Sequence, residues 1–478
     1  GAAAALLLGV LVGVLGGDGA APPPAPAPTP AAEESPEPAT APEVSALLAE
    51  MPLEREVAQL MLVGLESASM DDPTLEAFEK MDYAGLVLDE ASYDSPDQVA
   101  ALVKEVTATA RKAKHVEPWA MAPQEGGEFN AFADLPPPKA PGEIRSPEEA
   151  AKLAAEAAEE LDELGLNGIL APVLDVGPLG GGAVGTRAYS DVPDQVTRYA
   201  KATVRAYEKA GIFAAAKHFP GLGAASQPAE DGPVTVGLTV EQLSDRDLEP
   251  FRAAIAAGVP GIVVGPGRYA VDDFVVPGST SEAVLTGLLR DELGFDGVAI
   301  ADDVTSPAVT APLPAPRAAV DAIRAGADLV YVSRDARLQR EVYDALLEAV
   351  QSGSLSEERV DEALRRGLEA KLVAGVLPKE GRGGKTGAGG KGGGRGLDGA
   401  KDRESGGGAP GRGIDKAKDR KAPEPGSAER SAGRFVRAKS VDPAAAGRPA
   451  PTAPGDLGMP ARESSRPRTP DQRPPGDR

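Results

Sequence analysis

The chain has 478 residues, no cysteine, two histidines and a formal net charge of −23. Lack of cysteine excludes disulfides and thiolate metal ligands, and so acidic a balance argues against nucleic acid as a partner. The charge is unevenly spread: residues 379–478 hold 22 Lys and Arg against 13 Asp and Glu, while residues 1–378 hold 28 against 60.

Residues 1–16, GAAAALLLGVLVGVLG, form an apolar run the length of a signal-peptide core and short of a full membrane span. With the small residues after it, the segment 1–20 is expected to act as a cleaved signal peptide or a retained N-terminal anchor, and the protein to be exported. Residues 21–44 are rich in Pro, Ala and Glu, which predicts an extended, semi-rigid linker. At the other end, residues 379–478 are Gly, Pro, Lys, Arg and Ser with almost no aliphatic content. A segment of that kind buries too little to order itself and is expected to be disordered. It suits contact with an anionic cell-wall polymer, or a solvated linker-like role.

Between these ends, residues 45–378 alternate short apolar runs with helical patterns. The runs are QLMLVG (59–64), AGLVLD (84–89), PWAMAP (118–123) and GILAPVLDV (168–176), then GIFAAAKH (211–218), GIVVGPG (261–267), GVAIADD (297–303) and DLVYVS (328–333). None alternates strictly, as parallel strands covered on both faces require. The segment 146–165 opens with Ser146 as N-cap, Pro147 at the first helical position and Glu148 and Glu149 in the first turn, and it stops at Gly165. Segments 239–258 and 356–375 carry similar signals. Eight strands alternating with helices predict a single α/β domain, a (β/α)8 barrel of TIM type. A doubly wound open sheet is the alternative, and no Gly-rich dinucleotide turn supports it.

In such a barrel, functional residues stand at the C-terminal ends of strands. That rule selects Gln124 and Glu125 after strand three, Asp175 after strand four, Lys217 and His218 after strand five, and Asp302 and Asp303 after strand seven. Arg187 joins them from the Gly-rich loop behind strand four. Acids, a Lys, an Arg and a His on one rim suit a hydroxyl-rich substrate such as a carbohydrate. One of Asp302 and Asp303 is also expected to cap the next helix. His115 reads as a surface residue at a helix end, Trp119 as core, and Gly180–Gly182 as a loop without the Lys-Ser/Thr of a phosphate cradle. Two distant histidines and no cysteine give no metal-ligand set, and no cofactor is expected.

LEREVAQLMLVG (53–64), QEGG (124–127), LAPVLDV (170–176), GTRAYS (185–190), KHFPG (217–221) and GLLRDELGFDGVAIADD (287–303) together resemble the N-terminal barrel of glycoside hydrolase family 3, in particular its bacterial β-N-acetylhexosaminidase branch. The resemblance implies a retaining glycosidase with Asp302 as nucleophile, and Glu125, Asp175, Arg187, Lys217 and His218 as substrate-binding residues. It spans residues 45–378 and neither end. Three positions depart from the family pattern: Pro123 stands where an Asp is usual, Glu128 where Arg is frequent, and Pro228-Ala229-Glu230 where the branch has an Asp-Ser-His triplet with the acid/base His. Glu230, with Asp231 as second candidate, is therefore the expected acid/base, unless both are a solvated loop tip. The implied function is an exported β-N-acetylhexosaminidase acting on cell-wall, peptidoglycan-derived glycan. The alternative is a catalytically silent barrel that binds such glycan.

Overall fold

In a computed structural model, which describes residues 40–377, each of the eight apolar runs contains a strand. These are β1 Met61–Gly64, β2 Gly85–Val87, β3 Trp119–Ala122, β4 Gly168–Ile169, β5 Phe213–Phe219, β6 Gly261–Val264, β7 Val298–Ala301 and β8 Leu329–Val332. They close in sequence order into one parallel barrel, β8 pairing back onto β1. The open-sheet alternative is thereby excluded. Readings placed on residues 1–39 and on the basic tail lie outside the described residues. A helix begins at Pro42, so Pro42, Glu43 and Val44 are helical and not part of an extended linker.

Alternation along each strand sorts its side chains into two layers. On β1, Leu62 joins Val87, Met121, Ala215, Val263 and Ile300 inside the barrel, while Met61 and Val63 pack outward against the helices. Trp119 and Phe213 fill the N-terminal end of the barrel, their ring centroids 4.6 Å apart. Glycine makes room for them: a Cβ on Gly85 would stand 2.4 Å from Trp119 Cβ, and one on Gly261 2.6 Å from Phe213 Cζ. Trp119 is core, as expected. With no disulfide to help, this packing carries the stability, each fully buried Val, Leu or Phe contributing roughly 1.5–3 kcal/mol.

Two elements are shorter than their sequence patterns. The run 168–176 gives only a two-residue strand, because Pro172 has no N–H to continue the ladder. The chain rejoins β5 through a single bridge, Val173 to Lys217, with Leu174 N donating to Lys217 O at 2.6 Å. The pattern 239–258 forms two helices, Val240–Arg246 and Leu248–Ala256, meeting at Asp247. Pro250 lacks the N–H that the Arg246 carbonyl would accept. Asp247 is buried at this joint and packs under the β5 loop, where a Cβ on Gly221 would come within 2.6 Å of Asp247 Cβ. Burial pushes the Asp247 carboxyl up to about 7, with Asp175 adding to the rise and Arg246 opposing it.

Candidate active site

The C-terminal ends of the strands surround a cavity of about 480 Å³. Its floor is the barrel interior, Val87, Leu170 and Val263, and its walls carry Glu125, Arg187, Lys217, His218, Glu230 and Asp302. Residues up to 247 positions apart in sequence, Val87 and Arg334, thus share one pocket because strand ends from around the barrel meet there.

Glu125 is the hub of the binding wall. Arg187 donates to it through both Nε (2.7 Å) and Nη2 (2.8 Å), a bidentate fork, and Lys217 Nζ lies 2.6 Å from Oε1. Burial alone would push the Glu125 carboxyl up, but Arg187 and Lys217 outweigh it and hold it at about 2. The Arg187 guanidinium also lies 5.8 Å from the centre of the Phe129 ring, a cation–π distance. Arg187 Nη2 approaches His218 Nε2 at 3.3 Å, and His218 Nδ1 lies 2.7 Å from Asp175 Oδ2. Since a guanidinium only donates, Nε2 must accept, and the ring proton sits on Nδ1 and is donated to Asp175. Asp175 is fully buried and its other oxygen accepts from Leu222 N at 2.7 Å. It thereby fixes both the imidazole and the start of the β5 loop. His218 in this state has no proton to offer the cavity from Nε2.

The two acids after β7 are unlike. Asp303 Oδ1 accepts from Thr305 N (2.9 Å), Thr305 Oγ1 (2.7 Å) and Ser333 N (3.3 Å). Its burial pushes the carboxyl up, against those hydrogen bonds. Neither acid caps the next helix, contrary to expectation: the N-cap of Pro307–Thr310 is Ser306, and Asp303 instead holds the turn that leads there. Asp302 accepts only from Asp303 N, at 2.9 Å, among the described residues. Its carboxylate is left to face the cavity.

Glu230 lies in a short turn, Ala229–Asp231, on the loop after β5. The loop is pinned by Ser226 N to Thr235 O (2.9 Å) and Gln227 Nε2 to Pro233 O (3.1 Å). Glu230 lines the cavity, with Oε1 3.9 Å from Arg187 Nη1. Both acids are exposed, as a solvated loop tip would be, and Asp231 does not line the cavity.

Residues 52–370 match the glycosyl hydrolase family 3 N-terminal domain. The chain belongs to this family. It is 30% identical over 307 residues to a β-hexosaminidase of Stenotrophomonas maltophilia (strain K279a), covering 62% of this chain and 88% of that one. Among solved structures it resembles a glycoside hydrolase family 3 β-N-acetylglucosaminidase from Paenibacillus sp. str. FPU-7, at 32% identity and a TM-score of 0.66. That match covers 70% of this chain and 65% of the other. A β-N-acetylhexosaminidase from Beutenbergia cavernae aligns at 28% identity and a TM-score of 0.62, over 68% of this chain and 99% of that one. By family the protein is a glycoside hydrolase, and its substrate is a carbohydrate.

Set against the family pattern, Pro123 contributes an apolar patch to the cavity wall. Beside it the wall is polar through two residues not among those expected at the strand ends. Asp89, at the end of β2, accepts from Arg334 Nε, beyond β8, at 2.8 Å. The two side chains meet above Gly64 at the end of β1, where a Cβ would stand 3.4 Å from Arg334 N. Asp89 was visible as the last residue of AGLVLD. Arg334 carries no local signal, because its partner is 245 positions away. His115 does not line the cavity and is half-buried, not on the surface as expected, with Nδ1 unpartnered among the described residues.

Proposed function

We propose that the protein is an exported retaining β-N-acetylhexosaminidase that removes β-linked N-acetylglucosamine from cell-wall, peptidoglycan-derived glycan. The observation that carries this reading is that, of the carboxyl groups lining one cavity, two are left with neither a strong ion pair nor several hydrogen bonds, in different settings: Asp302 nearly free of hydrogen bonds and Glu230 on a pinned loop 3.9 Å from Arg187. The names of the relatives support the sugar. Export rests on the apolar run at 1–16, and attachment to an anionic wall polymer on the basic tail.

In the first step the Asp302 carboxylate attacks the anomeric carbon while the bond to the leaving oxygen breaks, and Glu230 gives that oxygen its proton. In the second, the Glu230 carboxylate takes a proton from water. The resulting hydroxide displaces Asp302 from the anomeric carbon, and configuration is retained. Glu125, Arg187, Lys217 and His218 hold the sugar hydroxyls, with Asp175 keeping His218 in place. No step calls for a cofactor or metal ion.

The test is release of nitrophenol from 4-nitrophenyl N-acetyl-β-D-glucosaminide by the full chain, beside Asp302→Asn. Turnover that is lost in the variant is expected. A folded protein inert on this substrate and on the matching glucoside would replace the reading with a catalytically silent barrel that binds wall glycan.

A further inference from the structure

A second cavity, also of about 480 Å³, adjoins the first. Glu230, Arg187, Asp89 and Arg334 line both, whereas Asp302 lines only the first. The first cavity is closed below by the barrel interior, so the sugar that is transferred sits there, over Asp302. An acid that protonates the leaving oxygen belongs at the junction of the two sugars, and Glu230 stands at the junction of the two cavities. From this we infer that the second cavity is the subsite for the leaving sugar, and that its charge selects which sugar it takes. The inference rests on the proposed role of Glu230.

The β3 and β4 loops build the outer wall of this subsite. Thr186 Oγ1 donates to Glu128 Oε1 at 3.2 Å across it, and half-buried Phe129 offers a ring face on which a pyranose can stack. Five carboxylates line the subsite, Asp89, Glu90, Glu125, Glu128 and Glu230, against two guanidiniums. Glu125 is held by Arg187 and, from the first cavity, by Lys217, Arg334 is shared between Asp89 at 2.8 Å and Glu90 at 3.6 Å, and Glu230 is neutral while it carries the proton for the leaving oxygen. Glu128 has no cationic partner among the described residues. The subsite therefore carries net negative charge at its mouth. It takes a leaving sugar that is neutral or carries an amine, and it disfavours one with a free carboxylate. Within wall glycan, that means units whose acid is masked as an amide or whose amine is unacetylated.

Two β-1,4 disaccharides sharing an N-acetylglucosamine and differing in the second sugar, glucosamine in one and N-acetylmuramic acid in the other, test this directly. Their affinities for full-length Asp302→Asn protein are measured by calorimetry in low salt, then in 0.5 M salt and in the added variant Glu128→Gln. The glucosamine-ended disaccharide is expected to bind about tenfold more tightly, the order of one Coulomb contact near a wet surface. That gap should shrink at least threefold in high salt and with Glu128→Gln. Equal affinities, or a preference for the carboxylate, would overturn the inference. Nitrophenyl turnover by the unaltered chain decides the hydrolase reading separately: discrimination without turnover leaves the subsite standing and removes the catalysis.

Discussion

Adjacent carboxylates with different duties, Asp302 and Asp303, show how a single backbone step separates chemistry from scaffolding. Asp303 spends one oxygen on three donors, and Asp302 keeps its own for the cavity. On the β5 loop both Glu230 and Asp231 are exposed, and of the two only Glu230 lines the cavity. On the proposed mechanism, replacing Glu230 with Gln removes the general acid/base and is expected to cost about 10²–10⁴ in rate. On the nitrophenyl substrate, whose leaving group needs little protonation, the second step should become limiting. Azide, which needs no base, should then restore turnover and yield the glycosyl azide. Asp231→Asn is expected to stay within about threefold of the unaltered rate; an azide-rescued loss there would exchange the two roles.

At the scale of elements, the buried network joins the β3, β4 and β5 ends through Glu125. Glu125→Gln leaves Arg187 and Lys217 without their counter-charge, which costs about 3 kcal/mol or more when a buried pair is broken. The measurement is the urea midpoint of the variant against the unaltered protein; an unchanged midpoint would show the network to be dispensable for folding. A second buried charge sits at the opposite end of the barrel. Lys371, on the helix Glu357–Val373, is buried, with Gln59 Oε1 at 3.2 Å as its one hydrogen-bond partner among the described residues. Desolvation pulls its ammonium down to about 7, with Asp82 and Glu117 opposing. The unfolded chain binds this proton up to an ordinary lysine pKa of about 10.4, so between pH 7 and 10 the unfolded state holds more protons and stability rises with pH. Lys371→Met should therefore raise Tm at pH 7, and its advantage should narrow as pH approaches 10. An advantage that is constant across that range would mean that Lys371 does not titrate there.

For the whole molecule, barrel order was legible because eight apolar runs alternate with capped helices, a period that parallel strands and crossover helices impose. The Glu125 and Asp302 positions were legible for the same reason, each lying within three residues of a strand end, whereas Lys217 and His218, read as following strand five, lie inside β5, and Asp175 stands six residues beyond the short β4. Local signals also misled where one residue overrides a pattern, as Pro172 does in β4 and Pro250 does at the Asp247 joint. The Asp89–Arg334 wall and the second cavity were not legible, since closure of the barrel and the fold of the β3 and β4 loops, not spacing along the chain, bring those groups together. The proposed mechanism turns on Asp302 as nucleophile. The direct test is mass spectrometry of the full chain after reaction with a 5-fluoro N-acetylglucosaminyl fluoride, which forms the glycosyl-enzyme quickly and releases it slowly. One added sugar, on the peptide carrying Asp302 and absent in Asp302→Asn, is the predicted result. A label on another carboxylate, or substrate consumed with inverted configuration and no label, would contradict it.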